Sequence, residues 1–124
     1  MLNQESQDPA SQWILLNQEV IFLHEKGRYE KAASLAHRAL DLAEQFNDPN
    51  HPYLAASLNN LAGILDAQGR YVQAEPLYQR ALEIRERVRG PWHADVAASL
   101  NNLAELYRAQ GRYDEAEPLY RRSI

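Results

Sequence analysis

The sequence predicts an all-α fold, a stack of antiparallel helix hairpins with about three hairpins and six helices, open at its C-terminal end. Three observations carry this. Gly-Arg-Tyr occurs at 27–29, 69–71 and 111–113, a spacing of 42 residues, and a fixed period in this range marks units that bury one another. Residues 55–82 laid over 97–124 agree at 19 of 28 positions, and 13–40 laid over 55–82 agree at 11 of 28, so the first copy is the most diverged. Within a unit the apolar spacing is helical. Leu58, Leu61, Ala62 and Leu65 fall at i, i+3, i+4 and i+7, and Ala74, Leu77, Tyr78 and Ala81 repeat that spacing after Gly69.

In chain order, residues 1–10 read as a polar segment, followed by units at 11–48, 53–90 and 94–124, the last one short. Each unit's first helix stops at Gly27, Gly69 or Gly111, where an achiral residue takes the left-handed conformation that closes the last carbonyls. Tyr29, Tyr71 and Tyr113 then turn their rings back toward the core, as do Tyr78 and Tyr120. Pro52 suits the first helical position after the connection at 47–52, and Asp95 favours a helix N-terminus after the one at 90–95. The second helix of unit two runs toward Arg89 before Gly90-Pro91 ends it. Pro76 and Pro118 lie inside second helices, where a slight bend is expected and not a break. Ala62, Ala74 and Ala81 let facing helices approach closely; Ala104 and Ala116 recur in unit three, and Ser123 replaces the last.

Composition excludes several classes. A chain of 124 residues with net charge −4 is the size of one domain and a poor match to nucleic acid. Arg80, Arg85, Arg87 and Arg89 are interleaved with Glu83 and Glu86, which reads as a solvated face with salt bridges along one helix. The absence of cysteine suits a reducing compartment, with the cytoplasm as the default. No apolar run approaches a membrane span, and the first residues lack the basic and apolar regions of a secretory signal. No enzyme, metal site or cofactor is expected. His24, His37, His51 and His93 show no ligand pairing, and His51 and His93 are equivalent helix-start or loop positions. Ser34, His37 and Asp41 point outward in parallel from one helix face, and each glycine is solitary.

A small residue at Ala62, another at Ala74 and a third at Ala81, with aromatic Tyr78 between the last two, resembles the tetratricopeptide repeat pattern. The 42-residue period, LNNLA at 58–62 and 100–104, and AEPLY at 74–78 and 116–120 are similar to the long repeats of kinesin light chains and related bacterial arrays. The resemblance covers residues 13–124 and implies a right-handed superhelical stack used as a scaffold. Glu19 departs from it, standing where Leu61 and Leu103 stand, which fits an end of the stack facing solvent.

The resemblance also implies that the first helices line a concave groove of about 30 Å, room for about nine extended residues of a protein or peptide partner. Carried over by position, its lining is Ile14, Asn17, Gln18 and Ile21, then Asn59, Asn60 and Gly63, then Asn101, Asn102 and Glu105. Asparagine is a poor mid-helix residue, so the doubled amides need another reason. They hold either a bound main chain or the neighbouring helix, with Asn17, Asn59 and Asn101 assigned to the groove and Asn60 and Asn102 to stacking. The places where some relatives hold a ligand's terminal carboxylate read Asn17, Ile21, Asn60, Ala98 and Asn102, with no cation, which disfavours that ligand. Arg108, and Arg70 or Arg112 at the turns, offer cations to an acidic ligand at the groove edge, but read first as ordinary surface residues. The short third unit suggests a piece of a longer array whose open end exposes Leu106, Tyr107, Leu119 and Ile124, a face for self-association or helix exchange between copies. An oligomerisation or spacer array without a peptide ligand is the alternative function.

Overall fold

The computed structural model describes residues 8–124; residues 1–7 of the polar segment lie outside the described residues. The described chain holds six helices and no strand: α1 Pro9–Glu25, α2 Tyr29–Glu44, α3 Pro52–Ala67, α4 Tyr71–Arg89, α5 Ala94–Ala109 and α6 Tyr113–Ser123. They pack as three hairpins, α1 with α2, α3 with α4 and α5 with α6, and the hairpins join where α2 meets α3 and α4 meets α5. First helices of consecutive hairpins also lie close, α1 with α3 and α3 with α5, whereas their second helices stand farther apart and are bridged by long side chains, Arg80 to Glu44 and Arg122 to Glu86. The stack therefore curves with its first helices on the inner side.

Helix starts follow local chemistry. The Asp8 carboxylate accepts the Ser11 amide at 3.2 Å, and Pro9 takes a first-turn place where it has no intrahelical amide bond to lose, so α1 begins ahead of residue 11. His51 and His93 cap α3 and α5 in the same way. Each Nδ1 accepts the amide two residues on, from Tyr53 and Asp95 respectively, at 3.0 Å. The hairpin turns are one device used three times. Gly27, Gly69 and Gly111 have φ of 75°, 76° and 76°. The next arginine amide donates to the carbonyl of Leu23, Leu65 or Tyr107 at 2.9, 2.8 and 2.8 Å, closing the helix end. α4 and α6 run unbroken through Pro76 and Pro118. The carbonyls these prolines leave without a helical donor belong to Val72 and Asp114, both on exposed residues within reach of solvent.

Small side chains set the helix spacing: Ala32, Ala62, Ala74, Ala81 and Ala104 have no exposure. Near the loop end of the stack, Trp13 lies flat on Tyr53 with ring centres 3.9 Å apart, and its indole N–H donates to the buried Ser57 hydroxyl at 2.7 Å. One period later the equally buried Ser99 hydroxyl receives the Arg85 guanidinium at 2.8 Å instead. A buried hydroxyl requires a partner, and the two junctions supply different ones.

Three sequence expectations are corrected. Leu106 and Tyr107 do not form an open face; they are 0% and 7% exposed, because α6 covers one side of α5 and α4 the other. Leu119 is half-buried against the same core, and of the four residues only Ile124 stands fully in solvent. Tyr113 is 65% exposed, although Tyr29 and Tyr71 pack on the core, since a further hairpin stacks beside each of the earlier turns and none among the described residues stacks beside this one. Among the described residues the arginines of α4 do not pair along their own helix. Arg80 approaches Glu44 at 3.5 Å, Arg87 donates to Asn50 at 2.7 Å and Arg89 meets Asp95 at 3.8 Å, so this face ties α4 to residues before and after it in the chain.

Candidate protein-interaction surface

The inner face is built on α1, α3 and α5, and its centre is a ladder of amides. Asn60 Nδ2 donates to Asn17 Oδ1 at 2.6 Å, and Asn102 Nδ2 donates to Asn59 Oδ1 at 3.3 Å. Each rung joins the second amide of one unit to the first amide of the unit before. Asn60 and Asn102 thus act between helices, as their spacing suggests. Asn17 and Asn59 are corrected: their oxygens are rung acceptors, because consecutive first helices lie within side-chain reach. Asn17 and Asn60 are half-buried, and the Nδ2 of Asn17 and the Oδ1 of Asn60 have no partner among the described residues. Asn101 is exposed and has no rung partner among the described residues.

The groups beside the ladder change character along the stack. Ile14 and Ile21 on α1 are exposed apolar side chains. One period after Ile21 stands Gly63, which leaves a gap; a Cβ there would lie 3.5 Å from the His24 ring and 3.6 Å from the Tyr78 hydroxyl. Tyr78 donates to the Asp66 carboxylate at 3.4 Å. Burial raises the pKa of Asp66 above its ordinary value, the Tyr78 hydrogen bond offsets part of this, and the negative charge of Glu105 adds to it. Burial likewise raises Tyr78, helped by the charge of Asp66. Glu105 accepts the Tyr120 hydroxyl and lies 3.7 Å from Arg108. The surface therefore runs from apolar at α1, through amides, to acidic beside α5.

One cluster that the sequence does not single out binds the second hairpin to the third. The Tyr107 hydroxyl donates to Glu75 at 3.1 Å and accepts from Gln79 at 3.1 Å. Arg112 reaches Glu75 and Glu115 at 2.7 Å each and lies 4.2 Å over the Tyr107 ring. The junction between the first two hairpins has Ala33, Leu65, Arg70 and Gln73 at these places and makes no such cluster. The available signal is the joint appearance of Tyr107 and Glu115 against an otherwise repeated background. Arg112 is thus a junction residue, unlike its surface counterpart Arg70.

Among the described residues no group of three His, Asp or Glu side chains is placed to hold a metal ion, and no helix is long and apolar enough to cross a membrane.

Comparison with known proteins agrees with this architecture. The family model for the tetratricopeptide repeat matches residues 13–78 and again 58–124. BtubC (BKLC) from P. vanneervenii superposes with a TM-score of 0.89 and 30% identity, covering 94% of this chain and 46% of that one, so the chain spans about half the length of this relative. The tetratricopeptide repeat domain of Arabidopsis FLU gives a TM-score of 0.82 at 22% identity, with 94% of each chain covered. A putative kinesin light chain from Podosopora anserina with nearly identical TPR-like repeats gives 0.84 at 23% identity, covering 95% of this chain and 56% of that one. No curated protein matches the sequence. With the matched segments together running from residue 13 to residue 124, the chain belongs to the tetratricopeptide repeat family.

Proposed function

We propose that this chain is an adaptor module that holds an extended or helical segment of a partner protein along the inner face of α1, α3 and α5. The observation that carries the reading is the half-spent amide ladder beside the gap at Gly63. A partner's main chain needs both donors and acceptors along its length, and the uncommitted amide atoms of Asn17, Asn60 and Asn101 supply both. The flanking groups favour an apolar side chain toward Ile14 and Ile21 and a basic one toward Asp66 and Glu105. A net charge of −4 favours protein over nucleic acid, and the lack of cysteine suits the cytoplasm.

The test is selection of peptides from a random display library on the immobilised chain, followed by titration of the selected peptide into isotope-labelled chain. Amide shifts concentrated at Asn59, Gly63, Asn101 and Glu105 support the reading. Shifts confined to α2, α4 and α6, or a library that returns no binder, overturn it.

A further inference from the structure

We propose that the outer face of the first hairpin is a docking surface for the third hairpin of a second copy of this chain, so that copies stack head to tail in the register of the internal repeats. The face is apolar and uncovered among the described residues: Leu15 is 56% and Phe22 53% exposed. At the two internal junctions the places of Phe22 are filled by Ile64 and Leu106 with no exposure, and those of Leu15 by the buried Ser57 and Ser99. The chain thus buries this face twice and presents it once.

Its own register says what fits there. Each internal junction sets the second helix of one hairpin against the first helix of the next, and α6 repeats the sequence of α4 closely. Between the second and third hairpins, Arg112 binds Glu75 at 2.7 Å. Two periods back from Arg112 stands Arg28, and one period on from Glu75 stands Glu117. Arg28 is exposed and has no acidic partner among the described residues; Lys31 occupies the place from which Glu115 grips Arg112. The amide ladder has matching loose ends. Asn101 continues the acceptors Asn17 and Asn59, and the exposed Gln18 continues the donors Asn60 and Asn102.

Glu19 is the unfavourable group on this face, since Leu61 and Leu103 are buried at its position. Arg121 of the second copy, which pairs with Glu117 on its own helix, stands where Gln79 reaches across to Tyr107 and can turn to Glu19 as Arg28 takes Glu117. Desolvating that carboxylate keeps the contact weaker than an internal junction. The two copies use different faces, so the contact does not close at a dimer and grows by addition.

The experiment is sedimentation velocity on the 124-residue chain from micromolar to millimolar concentration at low and high salt, with circular dichroism to verify helicity. The expected result is an average mass that rises past the dimer without a plateau and falls with added salt. Arg28→Glu and Glu117→Arg should each raise the half-assembly concentration roughly tenfold, and the double reversal should recover most of it. A strict monomer at millimolar concentration, a plateau at two copies, or charge reversals that do not compensate in well-folded variants would each overturn the proposal.

Discussion

Two substitutions of the same chemistry, Asn60→Ala and Asn101→Ala, should move stability in opposite directions. Asn60 donates a 2.6 Å hydrogen bond to Asn17, half-buried between helices, whereas Asn101 faces solvent without a rung partner among the described residues. A net intramolecular hydrogen bond contributes about 1 kcal/mol, and alanine exceeds asparagine in helix preference by about 0.6 kcal/mol. Asn60→Ala should therefore cost about 0.4 kcal/mol, and Asn101→Ala should gain about 0.6 kcal/mol. The second rung is longer, 3.3 Å, so Asn102→Ala should lie between them. Urea unfolding of single and double variants measures this directly. The Asn17/Asn60 cycle should show coupling near 1 kcal/mol, the Asn59/Asn102 cycle less, and Asn60/Asn101 none. Asn101→Ala should also weaken a selected peptide while raising the melting temperature. The reasoning is refuted if Asn101→Ala destabilises as much as Asn60→Ala, or if Asn17 and Asn60 prove additive.

Glu75→Ala should destabilise by about 1–2 kcal/mol, since the buried Tyr107 hydroxyl loses its acceptor, and hydrogen exchange should speed up first in α5 and α6; uniform acceleration would point elsewhere. Asp66 has a raised pKa when folded, so the native state holds its proton more tightly than the unfolded chain does. Its contribution is fully present below the ordinary value of 3.8 and is lost as pH rises through the folded value. Asp66→Asn removes that loss, so its stability relative to wild type should improve as pH rises above the ordinary value of 3.8 in paired denaturant titrations, and a flat difference would contradict the shift. Gly63→Ala should gain about 0.5–1 kcal/mol, because the added methyl meets ordinary contact distances and stiffens the unfolded chain. Gly63→Leu should instead fill the gap and abolish peptide binding without unfolding the chain, as read by calorimetry.

The parts of the fold legible in the sequence are those repeated in register. The glycine turns, the fully buried alanines and the helix starts at His51-Pro52 and His93 depend on neighbours a few residues away, so spacing alone reveals them. Contacts between units depend on which faces meet. The amide rungs were legible as a ladder, but the offset that spends Asn17 and Asn59 on the following unit is a property of helix separation. Leu106 and Tyr107 were misread because α5 is covered by α4 as well as α6, so the lack of a further helix does not expose them. The α4 arginines looked self-paired because charges alternate locally, while their partners lie on other segments. Gly63 was legible as a groove position; that it opens onto His24 and Tyr78 requires three helices at once.

The different partners of Ser57 and Ser99 mean that the hairpins are not interchangeable parts. Ser57 is sealed by Trp13, from a first helix, while Ser99 is sealed by Arg85, from a second helix. A duplicated middle hairpin would bring its own Ser57 against the Arg85 of the copy before it, so that unit is compatible with itself as a neighbour. A duplicated first hairpin would bring Leu15 to that place, opposite Ala43 and the Trp13 of the copy before it, whose indole N–H would lose its hydroxyl acceptor. Lengthening by tandem copying therefore costs least in the middle of this chain, where a unit carries both the hydroxyl and the guanidinium that the next copy needs.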